Sequence, residues 1–130
     1  MGLILDSDHC IEILRGRIDF TARLADESAI YVTTPTVAEL WYGGYHSATP
    51  ERHFPQVQHL LNQVAILDFD ERAAHEMGRL KATLRQKGTL IPDIDLQIAS
   101  IALTHALPVA THNRRHFERI PDLVLRDWLS

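Results

Sequence analysis

An α/β domain with a mostly parallel sheet is what this sequence predicts, on three observations. Short apolar runs of strand type recur along the chain, segments with apolar residues at helical spacing lie between them, and those segments carry their own start and stop signals. The chain of 130 residues has the size of one domain, spanning 1–130, with enough material for a hydrophobic core.

Taken in order, Leu3 to Asp6 reads as the first strand and ends on an acid. A helix then begins near Asp8, and either Asp6 or Asp8 can cap it, since a short carboxylate accepts from the free N–H groups of a first turn. Ile30 to Thr33 is the second strand. Thr34-Pro35 reads as an N-cap followed by proline at the first helical position, Thr36 and Glu39 have the spacing of a capping box, and Gly43-Gly44 predicts the stop. Thr49-Pro50 opens the next helix in the same way. After a third strand at Ala65 to Asp68, the stretch from Asp70 to Lys87 predicts a long amphipathic helix. Asp70 and Glu71 sit at its start, Arg85 and Lys87 at its end, and Ala73, Ala74, Met77, Leu80 and Leu84 share one face. The segment from Pro92 to His105 predicts another, striped by Ile94, Ile98, Ile101 and Ala102, with Asp95 beside the stripe where core meets cleft. Val109 to Thr111 and Val124 to Leu125 complete the strands.

Bulk properties narrow the function. A net charge of −4 and a pI near 6.0 exclude a protein that coats nucleic acid by charge alone, because such binding draws on phosphate neutralisation by Lys and Arg. The one cysteine, Cys10, lies in an apolar stretch and reads as a buried free thiol of a reducing compartment. Neither a targeting segment nor a membrane-length apolar run is visible, so the expectation is a cytoplasmic protein with no membrane partner.

Chemistry concentrates in the acids. Open α/β sheets bind ligands at the carboxyl ends of their strands, where Asp6 falls. Asp6, Glu39 and Asp95 each have a local explanation as a cap or a helix-end charge, yet all three lie at elements whose ends can converge on one cleft. Hard divalent cations require such oxygen ligands gathered from distant sequence. Asp93 could equally be the third acid, or serve only the first turn of its helix. Thr111 and Asn113 stand at a later strand end, where a hydroxyl and an amide can orient a water or a carboxylate without adding charge. Arg114 and Arg115 follow, two cations beside the expected cleft. His112 and His116 are four residues apart, but no zinc-type sequence surrounds them. Trp41, Tyr42 and Tyr45 either complete the core or form the centre of a homodimer interface, where aromatic residues are enriched.

In order and spacing these residues resemble the PIN-domain family, and within it the VapC-type ribonuclease toxins of toxin–antitoxin pairs. The resemblance runs through Leu5-Asp6-Ser7-Asp8, Thr36-Val37-Ala38-Glu39-Leu40 with Gly43, Pro92-Asp93-Ile94-Asp95-Leu96-Gln97-Ile98-Ala99, Thr111-His112-Asn113 with His116-Phe117, and Trp128. It implies a three-layer α/β/α fold and a Mg2+- or Mn2+-dependent endoribonuclease with Asp6, Glu39 and Asp95 as its acids. Asp6 and Asp95 would be the principal ligands and Glu39 a ligand or a base acting through water. It also implies a VapB-like antitoxin partner, whose Arg or Lys would relieve the repulsion of the empty acidic site. Two departures stand out: Asp8 where such toxins commonly carry Asn, and Asn113 where many PIN domains have a fourth acid. The second favours a rival reading, a PIN-like binding module without catalysis. Another rival is a haloacid-dehalogenase-like phosphohydrolase, in which Asp6 is the nucleophile and Asp8 the acid or base.

Overall fold

The computed structural model describes residues 2–129, and over them the strands β1 (Leu3–Leu5), β2 (Ile30–Thr33), β3 (Ala65–Leu67), β4 (Val109–Ala110) and β5 (Leu125–Arg126) form one sheet in the order β3-β2-β1-β4-β5. Every pairing is parallel. The helices are α1 (Ser7–Leu14), α2 (Phe20–Asp26), α3 (Thr34–His46), α4 (Pro50–Asn62), α5 (Glu71–Gln86), α6 (Asp93–His105) and the short α7 (Arg114–Phe117).

Period-two alternation sorts the strand side chains between two cores. Leu3 and Leu5 of β1, Ile30 and Val32 of β2 and Ala110 of β4 face a cluster with Cys10, Phe20, Leu40, Val57, Leu60 and Leu61 from α1 to α4. Ile4 and Val109 face the opposite cluster, with Ala73, Leu80 and Leu84 of α5, Leu96 to Ala102 of α6, and Phe117 of α7. Helices therefore cover both faces of the sheet, which gives three layers and explains why all of β1 is buried. Cys10 is buried as the sequence predicted, and its burial pushes the thiol up beyond any physiological ionisation.

Several local expectations change. α3 is capped by Thr33, whose hydroxyl accepts from Thr36 N–H at 3.4 Å, so Thr34 is already helical and Pro35 lies within the first turn. Thr36 is consequently no cap and Glu39 no member of a capping box. The Gly43-Gly44 pair does not stop α3, which continues to His46. Gly44 instead permits close helix packing, since a Cβ there would meet Phe54 Cε1 of α4 at 2.7 Å. Asp6, rather than Asp8, caps α1. The last strand lies at Leu125–Arg126, one residue later than its apolar pattern suggested. α2 was not anticipated; Asp19 caps it through Ala22 N–H at 3.2 Å.

A candidate active site at the β1–β4 junction

The chain leaves β1 on one side towards β2 and returns on the other side as β4, so the carboxyl ends of β1 and β4 flank the point where strand order reverses. Crevices of open α/β sheets form at such points. The register pairs Leu5 with Ala110, and Asp6 N–H continues the ladder by donating to Ala110 O at 3.1 Å. Asp6 is thereby set beside Thr111 at the sheet's rim. Its Oδ1 accepts from His9 N–H at 2.8 Å and caps α1. Cap and site are thus compatible, because the second oxygen remains for the cleft although the residue is 97% shielded by its neighbours, 3% exposed.

Asp95 enters from the first turn of α6. Its Oδ2 lies 2.7 Å from Nδ1 of His116 on α7, and the Asn113 amide nitrogen lies 2.8 Å from the same ring atom. A carboxylate only accepts, so the ring proton belongs on Nδ1, and Asn113 satisfies that proton only with its amide turned oxygen-first. Thr111 is fully buried and its hydroxyl accepts from Asn113 N–H at 2.9 Å, fixing the turn that presents Asn113. Asp93 is placed quite differently. It is exposed and accepts from Lys81 Nζ of α5 at 3.0 Å.

Charge completes the picture. Burial pushes the Asp95 carboxyl above the ordinary range; the His116 hydrogen bond opposes this, and the negative charges of Asp6 and Asp8 add to it. Asp8 is raised too, by burial first and then by Asp6, with a further contribution from Glu12. Asp6, Asp8 and Asp95 therefore form one mutually repelling group. Such an oxygen-only donor set fits a hard cation that keeps much of its own water. Among the described residues no three His, Cys, Asp or Glu side chains stand close enough together to enclose an ion. His112 and His116 do not face a common ion, since His112 Nδ1 pairs with Asp127 Oδ2 at 2.8 Å.

The remaining expected residues lie further out. Glu39 is exposed on α3, one turn beyond Thr36, whose hydroxyl bonds that of Ser7 at 3.0 Å. It lines a small cavity with Ile11, Arg15 and His53, and its charge is not among those acting on Asp8 or Asp95. Arg114 and Arg115 are exposed at the start of α7, with Arg114 3.8 Å from Glu118.

Sequence reasoning missed two histidines. His116 is the direct partner of Asp95, and its signal was its position three residues after Asn113 in a short helix. His9, which no sequence pattern singles out, is fully buried beneath Asp6. Its Nε2 accepts from Trp128 N–H at 3.1 Å, which leaves the proton on Nδ1, 3.4 Å from Asp6 Oδ1 and without a hydrogen-bond partner among the described residues. The tail that carries Trp128 is anchored by Asp127. Burial alone would raise that carboxyl, but Leu129 N–H and His112 hold it below its ordinary value. Trp128 packs against the rings of His9 and Phe20.

Against known proteins, residues 3–123 match the family model described as "PIN domain". A tRNA(fMet)-specific endonuclease VapC of Salmonella typhimurium is 33% identical over 130 residues, which cover 98% of each chain. Ribonuclease VapC2 of Haemophilus influenzae is 32% identical over 97% of each. The DNA-bound VapBC structure from Salmonella typhimurium superposes with a TM-score of 0.93 at 33% identity over 98% of each chain.

Proposed function

The chain belongs to the PIN-domain family and, within it, to the VapC-type ribonucleases, and from that membership we propose that it is the toxin of a toxin–antitoxin pair that cleaves RNA with a bound Mg2+ or Mn2+. The observation that carries this reading is the gathering of buried Asp6, half-buried Asp95 and exposed Asp8 at the β1–β4 junction, where their charges repel one another. A divalent cation held there would lower the pKa of water, polarise the scissile phosphate and offset its developing charge.

The chain's own groups have distinct tasks. Asp6 and Asp95 would hold the cation, and the hydrogen bond from His116 keeps Asp95 in one orientation. Asp8 adds charge from the first turn of α1, and Asp93 remains a helix-start charge outside the site. Thr111 and Asn113 orient the loop and its polar groups, while Glu39, which lies further out, would act only through water. Arg114 and Arg115 contact RNA phosphates. The haloacid-dehalogenase reading falls with the family assignment.

Relatives solved as VapBC complexes support a VapB-like antitoxin as partner. A homodimer is supported by Tyr42 and Tyr45, which are 63% and 75% exposed, rather than core residues, beside the packed Trp41–Phe54 pair. No helix of the described residues is long and apolar enough to cross a membrane, and the site of action on this reading is the cytoplasm.

Expressed alone in a bacterial cell, the wild-type chain should arrest growth with metal-dependent cleavage of RNA, and Asp6→Asn should do neither. Arrest that persists in Asp6→Asn would give the lead to the non-catalytic binding module. Light scattering of the isolated chain at micromolar concentration should read a dimer, and a monomer would remove the aromatic patch from that role.

A further inference from the structure

A cavity of about 660 Å³ leaves the acidic site across α1, lined on its inner side by Asp8 and Asn113 and further out by Glu12, Arg15, Arg17 and His112. Besides the pair at 114 and 115, two arginines just past the end of the first helix thus stand on a cavity that reaches Asp8. Their placement is built by the backbone. α1 ends with Arg17 N–H donating to Glu12 O at 2.9 Å and Gly16 N–H to Ile13 O at 3.0 Å, a reversal that requires the left-handed φ of +74° at Gly16. That reversal folds Arg17 back over Glu12.

Glu12 then holds both guanidinium groups, Arg15 at 3.2 Å through Oε1 and Arg17 at 3.2 Å through Oε2. The carboxylate is 15% exposed, whereas the two arginine side chains are 60% and 65% exposed. Glu12 neutralises one of the two cations, and Asp8, the other acid of the lining, stands on the inner side, so the outer rim keeps the positive charge. This is the only strongly oriented basic pair at the cavity among the described residues, in a chain that is acidic as a whole.

We propose that this cavity is the path of the RNA strand next to the scissile bond, with Arg15 and Arg17, oriented by Glu12, binding successive backbone phosphates. The proposal rests on the nuclease reading and deepens it. A phosphodiester strand fits better than a protein segment because planar guanidiniums in a fixed orientation match phosphate oxygens. A strand entering over this rim also passes from a positive edge to the carboxylates, where a cation is needed for the phosphate to approach. Such contacts position the strand and read no sequence.

The test uses the full chain carrying Asp6→Asn, so that RNA survives, and a fluorescent single-stranded oligoribonucleotide of mixed sequence titrated over a series of salt concentrations. Adding Arg15→Gln with Arg17→Gln should weaken binding and reduce the slope of log K against log salt by about 1.4, the value for two phosphate contacts on a single strand. Glu12→Gln separates orientation from bulk charge. It removes a negative charge, so simple electrostatics demands tighter binding, while loss of the bracket that holds both arginines demands weaker binding, which is the result expected. Tighter binding by Glu12→Gln, or an unchanged slope in the double variant, overturns the proposal. So does unchanged RNA binding combined with loss of complex formation with the cognate antitoxin, which assigns the cavity to the protein partner. Metal-dependent cleavage by the wild-type chain, measured alongside, tells these outcomes from failure of the nuclease reading itself.

Discussion

Asp93 and Asp95 stand two residues apart in the first turn of α6, yet the regions they belong to differ in almost every physical respect. Asp93 lies at the outer meeting of α5 and α6, exposed and paired with an equally solvated Lys81. Asp95 lies at the carboxyl end of β4's neighbour β1, half-buried, hydrogen-bonded to His116 and pushed up by burial and by Asp6 and Asp8. Both acids favour a helix start equally well. What separates them is the angle of about 200° that two residues sweep around a helix, which turns one side chain to solvent and the other to the sheet's rim. Placing a carboxylate where it is desolvated and repelled costs stability, a cost that a bound cation would offset.

The largest expected effect is on catalysis. Asp95→Asn should reduce RNA cleavage by roughly a hundredfold or more, because the amide preserves shape while removing the charge that holds the cation. Its melting temperature without metal should be equal to or above that of the wild type. A variant that cleaves normally would move the third acid of the site to Asp93 and reverse the comparison.

A smaller effect concerns pH. Because Asp95 and Asp8 are raised in the folded chain, the folded state binds protons that the unfolded state has already released, so metal-free stability falls as pH rises from the ordinary carboxylate range through their raised values. Asp127 acts oppositely: its lowered carboxyl contributes stability that is complete above the ordinary range and is lost as pH falls through its folded value. Thermal melts of metal-free protein across the acidic range should show both limbs. Asp95→Asn should flatten the upper limb and leave the lower one, and an unchanged upper limb would mean that the acids do not repel one another.

The smallest effect belongs to the outer region. Asp93→Asn should leave RNA cleavage unaltered and change stability by no more than about 0.5 kcal/mol, since an exposed ion pair and a helix-start charge each contribute little. Chemical denaturation measures this, and a loss of activity would show that Asp93 reaches the cleft.

The strands and the long helices were legible because their signals are local. The apolar runs of β1 and β2 and the stripe of α5 each fit within a few residues of sequence, and Asp70 and Lys87 mark the ends of α5 where the structure has its caps. Chain order likewise pointed to Asp6 and Asp95, which share one field, whereas Glu39 lies outside it. The failures were places where a local signal lost to packing. Gly43-Gly44 reads as a stop, but the helix continues because Gly44 lets α4 approach, and Thr34-Pro35 reads as a cap although Thr33 holds the first turn.

By itself, then, the sequence determined the alternating elements, the parallel sheet and the acidic character of the site, all of which follow from periodicity and chain order. Only the tertiary structure decided which carboxylates share a field, that His116 orients Asp95, that His9 and the Trp128 tail lie beneath Asp6, and that Arg15 and Arg17 line the cavity beside Asp8. These groups are separated by up to more than a hundred positions in the chain, and Coulomb and hydrogen-bond energies depend on distance and burial in space, which no local pattern encodes.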